Sequence, residues 1–247
     1  MGLIRDVIHA GGTGGLSWHA QAYHARKRWQ PTVQLIAQFL AQVQPKSEHL
    51  VLIGGSAGWM MPPDWLSRFK RIDAYDIDPL APWLFDWRHG RTLKMQGTEV
   101  QHHRQDALAT LPDILKAHPQ ACLWFDNVLG QHRFRVRDAA RVERELAQLK
   151  TTLTGRHWGS VHDLYSGPTQ GQAQPEAVMP RFKVIGSPGA DISQALLSSV
   201  GAKGEWRDHL TQDVFPTGTA THLIPWAFRP DDWHWLQAGW VTGGPTG

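Results

Sequence analysis

An apolar run that leads directly into a cluster of small residues constrains the fold of this chain more than any other feature. Residues 49–62 read HLVLIGGSAGWMMP, so a β-forming run enters Gly54, Gly55, Ser56, Ala57 and Gly58. A strand followed by such a turn lets backbone amides approach a polar or anionic ligand closely. The same residues also match the pattern G-x-S-x-G, the nucleophile elbow of hydrolases, with Ser56 as the nucleophile. The chain therefore contains either a cradle for a nucleotide-like cofactor or a hydrolase elbow.

Short apolar runs alternate with helix-like segments after residue 47, which predicts a Rossmann-like α/β fold. In this fold a mostly parallel sheet carries helices on both faces. The predicted strands are residues 49–54, 71–76, 99–104, 121–126 and 157–165. A chain of 247 residues is long enough for one such domain. We predict a single domain made of an N-terminal helical cap (1–46), a cofactor-binding core (47–165) and a loop insertion with a sheet-closing C-terminal part (166–247).

The segments that flank the core carry weaker signals. Ser17 is predicted to cap a helix over residues 18–29, and Pro31 is predicted to begin a second helix. The first of these helices is expected to cover the open end of the sheet as a lid. Residues 167–189 are rich in proline, glycine and glutamine and are predicted to form a loop or insertion. The tail contains two strand-like pieces, residues 206–215 and 219–228, around the turn PTG, which predicts an antiparallel hairpin.

Acidic residues stand at the ends of the predicted strands. The second strand reads RIDAYDID and ends about twenty residues after the glycine turn, where a carboxylate can accept hydrogen bonds from both hydroxyls of a ribose. Asp76 is predicted for that role and Asp78 is the next candidate, although Asp78-Pro79 could instead cap the following helix. Asp106 with Ala107, and Asp126 with Asn127, follow later strands. Ligands of open α/β sheets lie beyond the carboxyl ends of the strands, so these side chains are expected to converge.

On these segments the sequence resembles the class I S-adenosylmethionine-dependent methyltransferases, over roughly residues 47–165. LIGGSAG is similar to the cofactor loop, AYDIDP to the ribose-binding strand end, QDAL to the adenine-side turn and FDNVLG to the segment beside the methyl group. The segment SAGWMMP also looks like that of bacterial proteins usually assigned to this superfamily. The resemblance implies S-adenosyl-L-methionine as cofactor, bound by Gly54, Gly55, Ser56, Ala57, Gly58, Asp76, Ile77, Asp106, Ala107 and Asp126.

The resemblance also bears on the reaction. It implies methyl transfer to a small molecule or a protein side chain, with Asp126, Asn127 and His132 nearest the chemistry. Leu52 occupies the position where the family usually has an acidic residue, so contacts to the methionine amine must come from elsewhere. FDNVLG lacks the proline pair of the enzymes that methylate adenine in nucleic acids, which argues against a nucleic-acid acceptor.

The alternative function is that of an esterase-like α/β-hydrolase. GGSAG satisfies the elbow pattern, and HAGGTGG at residues 9–15 resembles the oxyanion-hole segment of that fold. Ser56 would be the nucleophile, and the other members of its triad would come from Asp126, Asp163, His209 and His222. Two prolines in WMMPPDW interrupt the long helix that an elbow serine normally begins, so the cofactor cradle is the favoured interpretation.

Two further classes and a metal site are less well supported. A nicotinamide enzyme would need the spacing G-x-G-x-x-G, and Trp59 occupies the third glycine position. A non-enzymatic binding module on the same fold is the other alternative. The 14 histidines do not show metal-ligand spacing, since the neighbours His102 and His103 point to opposite faces of a strand. We predict no metal site.

Composition restricts the partners and the location. The net charge is +3, and no basic block is longer than the triplet at residues 26–28, so a strong polyanion partner is not indicated. The single cysteine, Cys122, excludes a disulfide within the chain. The sequence shows neither a signal-peptide pattern nor eighteen uninterrupted apolar residues, which predicts a cytoplasmic protein with no membrane partner. The oligomeric state is not predicted.

Overall fold

The structure is a computed structural model that describes residues 15–136, 138–170, 183–185 and 188–243. The strands in these ranges are β1 (His49–Ile53), β2 (Arg71–Asp76), β3 (Glu99–Arg104), β4 (Cys122–Asp126), β5 (Trp158–Pro168), β6 (Lys183–Ile185), β7 (Arg207–Asp208), β8 (Ala220–Arg229) and β9 (Asp232–Val241). The helices are α1 (Leu16–Gln42), α2 (Pro63–Leu66), α3 (Ala81–Phe85), α4 (Arg91–Met95), α5 (Leu111–Ala117), α6 (Val128–Arg135), α7 (Ala139–Thr152) and α8 (Ala190–Ser199), with a π-helical turn (Asp86–Gly90) between α3 and α4.

The strands form one mixed sheet in the order β3-β2-β1-β4-β5-β9-β8-β6, with β7 paired to β5. The first five strands are parallel, and β9, β8 and β6 continue the sheet in antiparallel pairs. The predicted fold class is confirmed, and each of the five predicted core strands begins within one residue of its observed start. The order of the strands reverses between β1 and β4, because β1 pairs with β2 on one side and with β4 on the other. Open α/β sheets bind ligands at this switch point.

The central strands of the parallel half, β1 and β4, are buried on both faces. In β1, Leu50 and Leu52 belong to a core cluster with α1, whereas Val51 and Ile53 belong to a second cluster with α5 and α7. Burial on both faces requires a continuous apolar run, and strands β1 and β4 have such runs. The rigid sheet fixes the position of every residue that ends a strand.

Helix α1 is one continuous helix, so the predicted break at Pro31 is wrong. An interior proline costs about 3 kcal/mol, since it removes a backbone hydrogen bond. Trp29 Nε1 and Thr32 Oγ1, which flank the proline, donate to backbone carbonyls of β8 over 3.1 Å and 2.8 Å. These contacts hold both sides of Pro31 against the sheet. Ser17 lies in the first turn and is not the N-cap. None of the described helices has the length and apolar character needed to cross a membrane.

The C-terminal hairpin is formed by different segments from those predicted. Residues 206–215 contain only the two-residue strand β7. The hairpin joins β8 to the tryptophan-rich β9, and β9 pairs with β5 along its whole length. Strand β6 lies inside the region predicted as a loop, and residues 171–182 fall outside the described part of the chain. An antiparallel hairpin that closes the sheet is thus present, one strand further along the chain than predicted.

Candidate functional site

The polar strand ends meet in one large cavity. It has a volume of about 790 Å³ and lies at the carboxyl edge of the sheet, over the switch point between β1 and β4. Of the residues predicted to bind the cofactor or act in catalysis, those in its wall are Gly54, Ser56, Asp76, Ile77, Asp106, Ala107, Asp126 and Asn127. A cavity of this size can bury most of a nucleoside-sized ligand.

The glycine turn brings the backbone close to α6. Gly54 has a φ of +72°, and a Cβ at this position would lie 2.7 Å from the Cβ of Val128. Only glycine therefore satisfies both the backbone angle and the space. The backbone N–H of Gly54 donates to Tyr75 O on β2 over 2.9 Å. The start of the turn is fixed between its two neighbouring strands.

Asp76 faces the glycine turn. Its Oδ2 accepts a hydrogen bond from the backbone N–H of Ser56 over 2.8 Å, and its Oδ1 accepts one from the backbone N–H of Asp78 over 2.8 Å. Burial raises the pKa of the Asp76 carboxyl, and these two amide hydrogen bonds oppose that shift. Each carboxylate oxygen has a second lone pair. The carboxylate is thus held at the cavity wall with capacity for two further donors.

Asp126 ends β4 opposite Asp76 with part of its carboxyl group unsatisfied. Its side chain is buried, and its Oδ1 has no hydrogen-bond partner among the residues that the structure describes. Burial, followed by the negative charge of Asp76, raises the pKa of the Asp126 carboxyl to about 7. An unsatisfied acceptor beside a second acid is costly unless a cation or donor fills the site. The pair indicates a ligand with positive charge at this point.

The other strand ends are partly engaged by the protein itself. Asn127 has a left-handed backbone (φ +54°), and its Oδ1 accepts from the backbone N–H of Asp163 over 3.0 Å. Asp106 pairs with Arg135 of α6, and this hydrogen bond, opposed by burial, lowers the pKa of the Asp106 carboxyl. The ion pair forms the wall where the adenine-side turn was predicted.

Several predicted site residues lie away from the large cavity. Gly55 and Ala57 do not line it, and a Cβ at Gly58 would collide with His89 at 2.5 Å. These three residues shape the turn on the side away from the cavity. His132 is also outside the wall, because its Nε2 lies 2.6 Å from Glu145 Oε2 on α7. The catalytic role predicted for His132 therefore has no geometric support.

The start of α1 is bonded to the end of β2 through Asp78, which lies outside the cavity wall. Its Oδ2 accepts from the backbone N–H of Gly15 over 2.7 Å and contacts His19 Nε2 at 2.8 Å. Trp59 Nε1 donates to the other ring nitrogen of His19 over 3.0 Å, so Trp59 packs behind the site. Trp18, which precedes His19 in α1, lines the cavity. The start of α1 covers one side of the opening, in agreement with the lid expected from the sequence.

The hydrolase alternative is not supported. Ser56 has a φ of +49°, which an elbow would also show, but the following α2 has only four residues, Pro63–Leu66. Ser56 Oγ has no hydrogen-bond partner in the described part of the chain. His209 instead bonds Ser166 Oγ and Gly130 O, and His222 packs edge to face against Phe39. The oxyanion-hole segment predicted at residues 9–15 lies outside the described residues except for Gly15.

The far half of the cavity contains residues that sequence reasoning missed. They come from the segment around β7 and from β8 and β9: Arg207, Trp226, Phe228, Arg229, Asp232 and His234. Because β9 runs antiparallel to β5, its amino end lies beside the carboxyl end of β5. The carboxyl end of β8 reaches the same edge. The signal that could have found them is the turn between β8 and β9, whose flanking residues must lie at one edge.

A second polar cluster lies outside the cavity, around the buried Asp73 of β2. His49 and His103 each contact its carboxylate at 2.7 Å, and Arg71 Nε donates to it over 2.7 Å. His49, Asp73 and His118 place ligand atoms within 4.8 Å of one another, which the histidine spacing did not indicate. The Arg71 guanidinium already neutralises this carboxylate, so the arrangement is an ion-pair network that ties β1, β2 and β3 together.

Neither the family models nor the curated proteins include a match. Among solved structures, magnesium protoporphyrin IX methyltransferase from Synechocystis PCC 6803 with bound SAM is similar at 11% identity and a TM-score of 0.45, over 96% of this chain and 95% of that one. Geranyl diphosphate C-methyltransferase from Streptomyces coelicolor A3(2) is similar at 12% identity and a TM-score of 0.42, over 96% and 86%. N-methyltransferase NodS from Bradyrhizobium japonicum WM9 is similar at 12% identity and a TM-score of 0.41, over 89% and 98%.

Proposed function

We propose that this protein is an S-adenosylmethionine-dependent methyltransferase. One observation carries the proposal: Ser56, Asp76 and Asp126 line a single cavity at the switch point of the sheet, the Ser56 amide donates to Asp76, and the buried Asp126 Oδ1 has no hydrogen-bond partner among the described residues. A carboxylate at the end of the second strand suits a ribose diol, and a second buried acid suits a cation. Together they match a nucleoside that carries positive charge.

The residues present fit the two ends of the adenosyl-methionine group. Asp76 would accept hydrogen bonds from the ribose hydroxyls, and Ile77 and Ala107 supply apolar wall beside it. Asp126 would accept from the methionine ammonium, which explains how the site functions with Leu52 in place of an acid. When bound, the cofactor supplies a methyl group already activated by the adjacent sulfonium. The protein's task is then to position the acceptor, exclude water and remove a proton where the acceptor requires it.

The acceptor in this proposal is a small molecule, because aromatic side chains of α1 and β8, Trp18, Trp226 and Phe228, line the same cavity and offer it a contact surface. A protein side chain is the runner-up among acceptors. Asn127 lines the cavity and holds the backbone of β5 through its bond from Asp163 N–H. A cytoplasmic location remains a prediction from the sequence.

Binding of S-adenosylhomocysteine tests the proposal directly. In isothermal titration the wild-type protein is expected to bind this ligand at one site per chain, whereas ATP and NADH should give no binding heat. The acidic pair Asp76 and Asp126 would repel their phosphates, since both carboxylates face the same cavity. Binding of NADH without binding of S-adenosylhomocysteine would refute the proposal. Labelling of Ser56 by a fluorophosphonate would also refute it.

The affinity for S-adenosylhomocysteine is expected to rise with pH between about pH 6 and 8. The pKa of the free Asp126 carboxyl is about 7, so below that pH a proton must leave before the carboxylate can pair with the ligand's ammonium. Affinity should therefore fall by up to about tenfold per pH unit on the acidic side. Isothermal titration in buffers of different ionisation enthalpy measures the released proton.

Two controls isolate Asp126 as the source of this dependence. 5′-Methylthioadenosine lacks the amino-acid end and should bind with little pH dependence over the same range. Asp126→Asn should flatten the profile for S-adenosylhomocysteine and weaken binding at pH 8. An unchanged slope in Asp126→Asn would assign the proton to another group.

A further inference from the structure

A carboxylate and an imidazole form a close pair at the far end of the cavity. His234 Nδ1 lies 2.7 Å from Asp163 Oδ1, and the Asp163 side chain is fully buried. An ionised carboxylate only accepts hydrogen bonds, so Nδ1 of His234 carries the proton. In the neutral ring Nε2 is then the proton acceptor. The pair thus has the arrangement of an oriented general base.

The structure holds Asp163 in place from several sides. Asn127 Oδ1 accepts from its backbone N–H over 3.0 Å, and Thr211 Oγ1 donates to its carbonyl over 2.6 Å. Gln131 Nε2 lies 3.5 Å from its second carboxylate oxygen. Burial acts to raise the pKa of the Asp163 carboxyl, but the adjacent His234 and His209 hold it below its usual value. Asp163 therefore stays ionised and keeps His234 in one tautomer.

The remaining charged groups near His234 leave its Nε2 accessible. Asp232 Oδ1 is 3.6 Å from Nε2, beyond hydrogen-bond distance, and its side chain is partly exposed. The ring of His209 is 6.2 Å from that of His234, with its own nitrogens bonded to Ser166 Oγ and Gly130 O. Arg207 and Arg229 line the same end of the cavity. Their positive charges offset the negative charges of Asp163 and Asp232 beside His234.

An aromatic wall surrounds this base. The ring centroids of Trp226 and Phe228 lie 4.9 Å and 4.7 Å from that of His234. Trp18 of α1 extends the wall, with its ring 6.3 Å from Phe228 and stacked on it. Flat aromatic surfaces of this kind select planar apolar molecules. Together with the base, the wall suits an aromatic ring that carries an ionisable hydroxyl group.

We propose that His234, positioned by Asp163, is the general base of this enzyme and that the methyl acceptor is the hydroxyl group of an aromatic compound. The assignment rests on the proposed function. The O–H bond breaks, its electron pair stays on oxygen, and the proton bonds to the Nε2 lone pair of His234. The oxygen pair then forms the bond to the methyl carbon while the carbon–sulfur bond breaks and its pair stays on sulfur. Asp163 is a positioning residue.

Binding of 4-nitrophenol to protein saturated with S-adenosylhomocysteine tests the assignment without turnover. The absorbance of the phenolate reports how much of the bound probe is ionised. Wild-type protein is expected to bind the probe and shift it toward the phenolate, as measured across pH. In His234→Gln the ratio of ionised to neutral bound probe should fall about tenfold, which equals one unit of probe pKa. Asp163→Asn should lower the same ratio by a similar factor, because without the carboxylate His234 is no longer held in the tautomer whose Nε2 accepts a proton.

Matched controls keep the outcomes distinct. His24→Gln changes an exposed histidine of α1 outside the cavity wall and should behave as wild type. His234→Gln should still bind S-adenosylhomocysteine, and its thermal melt establishes that the fold is retained at the temperature of the titration. If wild type binds S-adenosylhomocysteine but not 4-nitrophenol, or if His234→Gln ionises the probe as wild type does, the assignment is overturned. If S-adenosylhomocysteine itself fails to bind, the proposed function fails instead.

Discussion

Replacing Asp76 by asparagine is expected to weaken the binding of S-adenosylhomocysteine about 100-fold. The substitution removes a charged acceptor, and hydrogen bonds to charged groups contribute about 1.5–3 kcal/mol each. Loss of the charge-assisted part of two such bonds amounts to about 3 kcal/mol, which corresponds to about two orders of magnitude in affinity. The carboxylate also fixes the Ser56 amide over 2.8 Å, so the turn would lose its preferred orientation. Isothermal titration at pH 8 measures the change.

A matched variant separates the role of Asp76 from a general effect of charge. Asp64→Asn makes the same chemical change at an exposed position of α2 outside the cavity wall. Its affinity for S-adenosylhomocysteine should equal that of wild type. Thermal melts of both variants establish that the fold is retained. Equal affinities of Asp76→Asn and wild type would remove Asp76 from the site.

Replacing Asp73 by asparagine is expected to destabilise the protein by about 3–5 kcal/mol, the usual cost of removing one partner from a buried ion pair. The carboxylate has no exposed surface and accepts from Arg71, His49 and His103. An amide cannot replace the charge, and its NH₂ group would face donors. For a chain of this length the loss corresponds to a fall in melting temperature of about 6–20 °C. Differential scanning calorimetry at pH 7 measures it.

The same residue sets an acid limit to stability. Burial opposes ionisation of Asp73, but its bonds to Arg71, His103 and His49 hold the pKa of the carboxyl well below its usual value. The stabilisation is therefore fully present above the unfolded pKa of about 4 and is lost as the pH falls below it. Wild type should lose stability below about pH 4 more steeply than Asp73→Asn. Asp113→Asn, at an exposed position of α5, should follow wild type, and a melting temperature of Asp73→Asn equal to that of wild type would contradict the account.

The parallel half of the fold is largely predictable from the sequence. Strands buried on both faces must be continuously apolar, so β1 and β4 can be recognised in the sequence as apolar runs. The turn after β1 requires glycine at position 54 because of its φ and the proximity of Val128. Asp76 ends a parallel strand next to that turn, and neighbouring parallel strands end at one edge. Local pattern and topology therefore suffice to bring Asp76 to the turn.

The remaining features of the fold and of the candidate site depend on contacts between segments far apart in the chain. Helix α1 continues through Pro31 because side chains beside it bond β8, about 190 residues later. The pairing of β9 with β5 places His234 beside Asp163, and no spacing along the chain indicates that meeting. The network around Asp73 joins three strands and a helix end in the same way. His132 contacts Glu145 of α7 and does not line the cavity, and the sequence alone does not indicate which face of α6 it occupies.

The most direct test of the central claim is a crystal structure of the protein with S-adenosylhomocysteine. The account predicts ribose hydroxyls within hydrogen-bond distance of Asp76 and the ligand's ammonium beside Asp126. A ligand bound elsewhere, or bound in the cavity with its ribose away from Asp76, would contradict it.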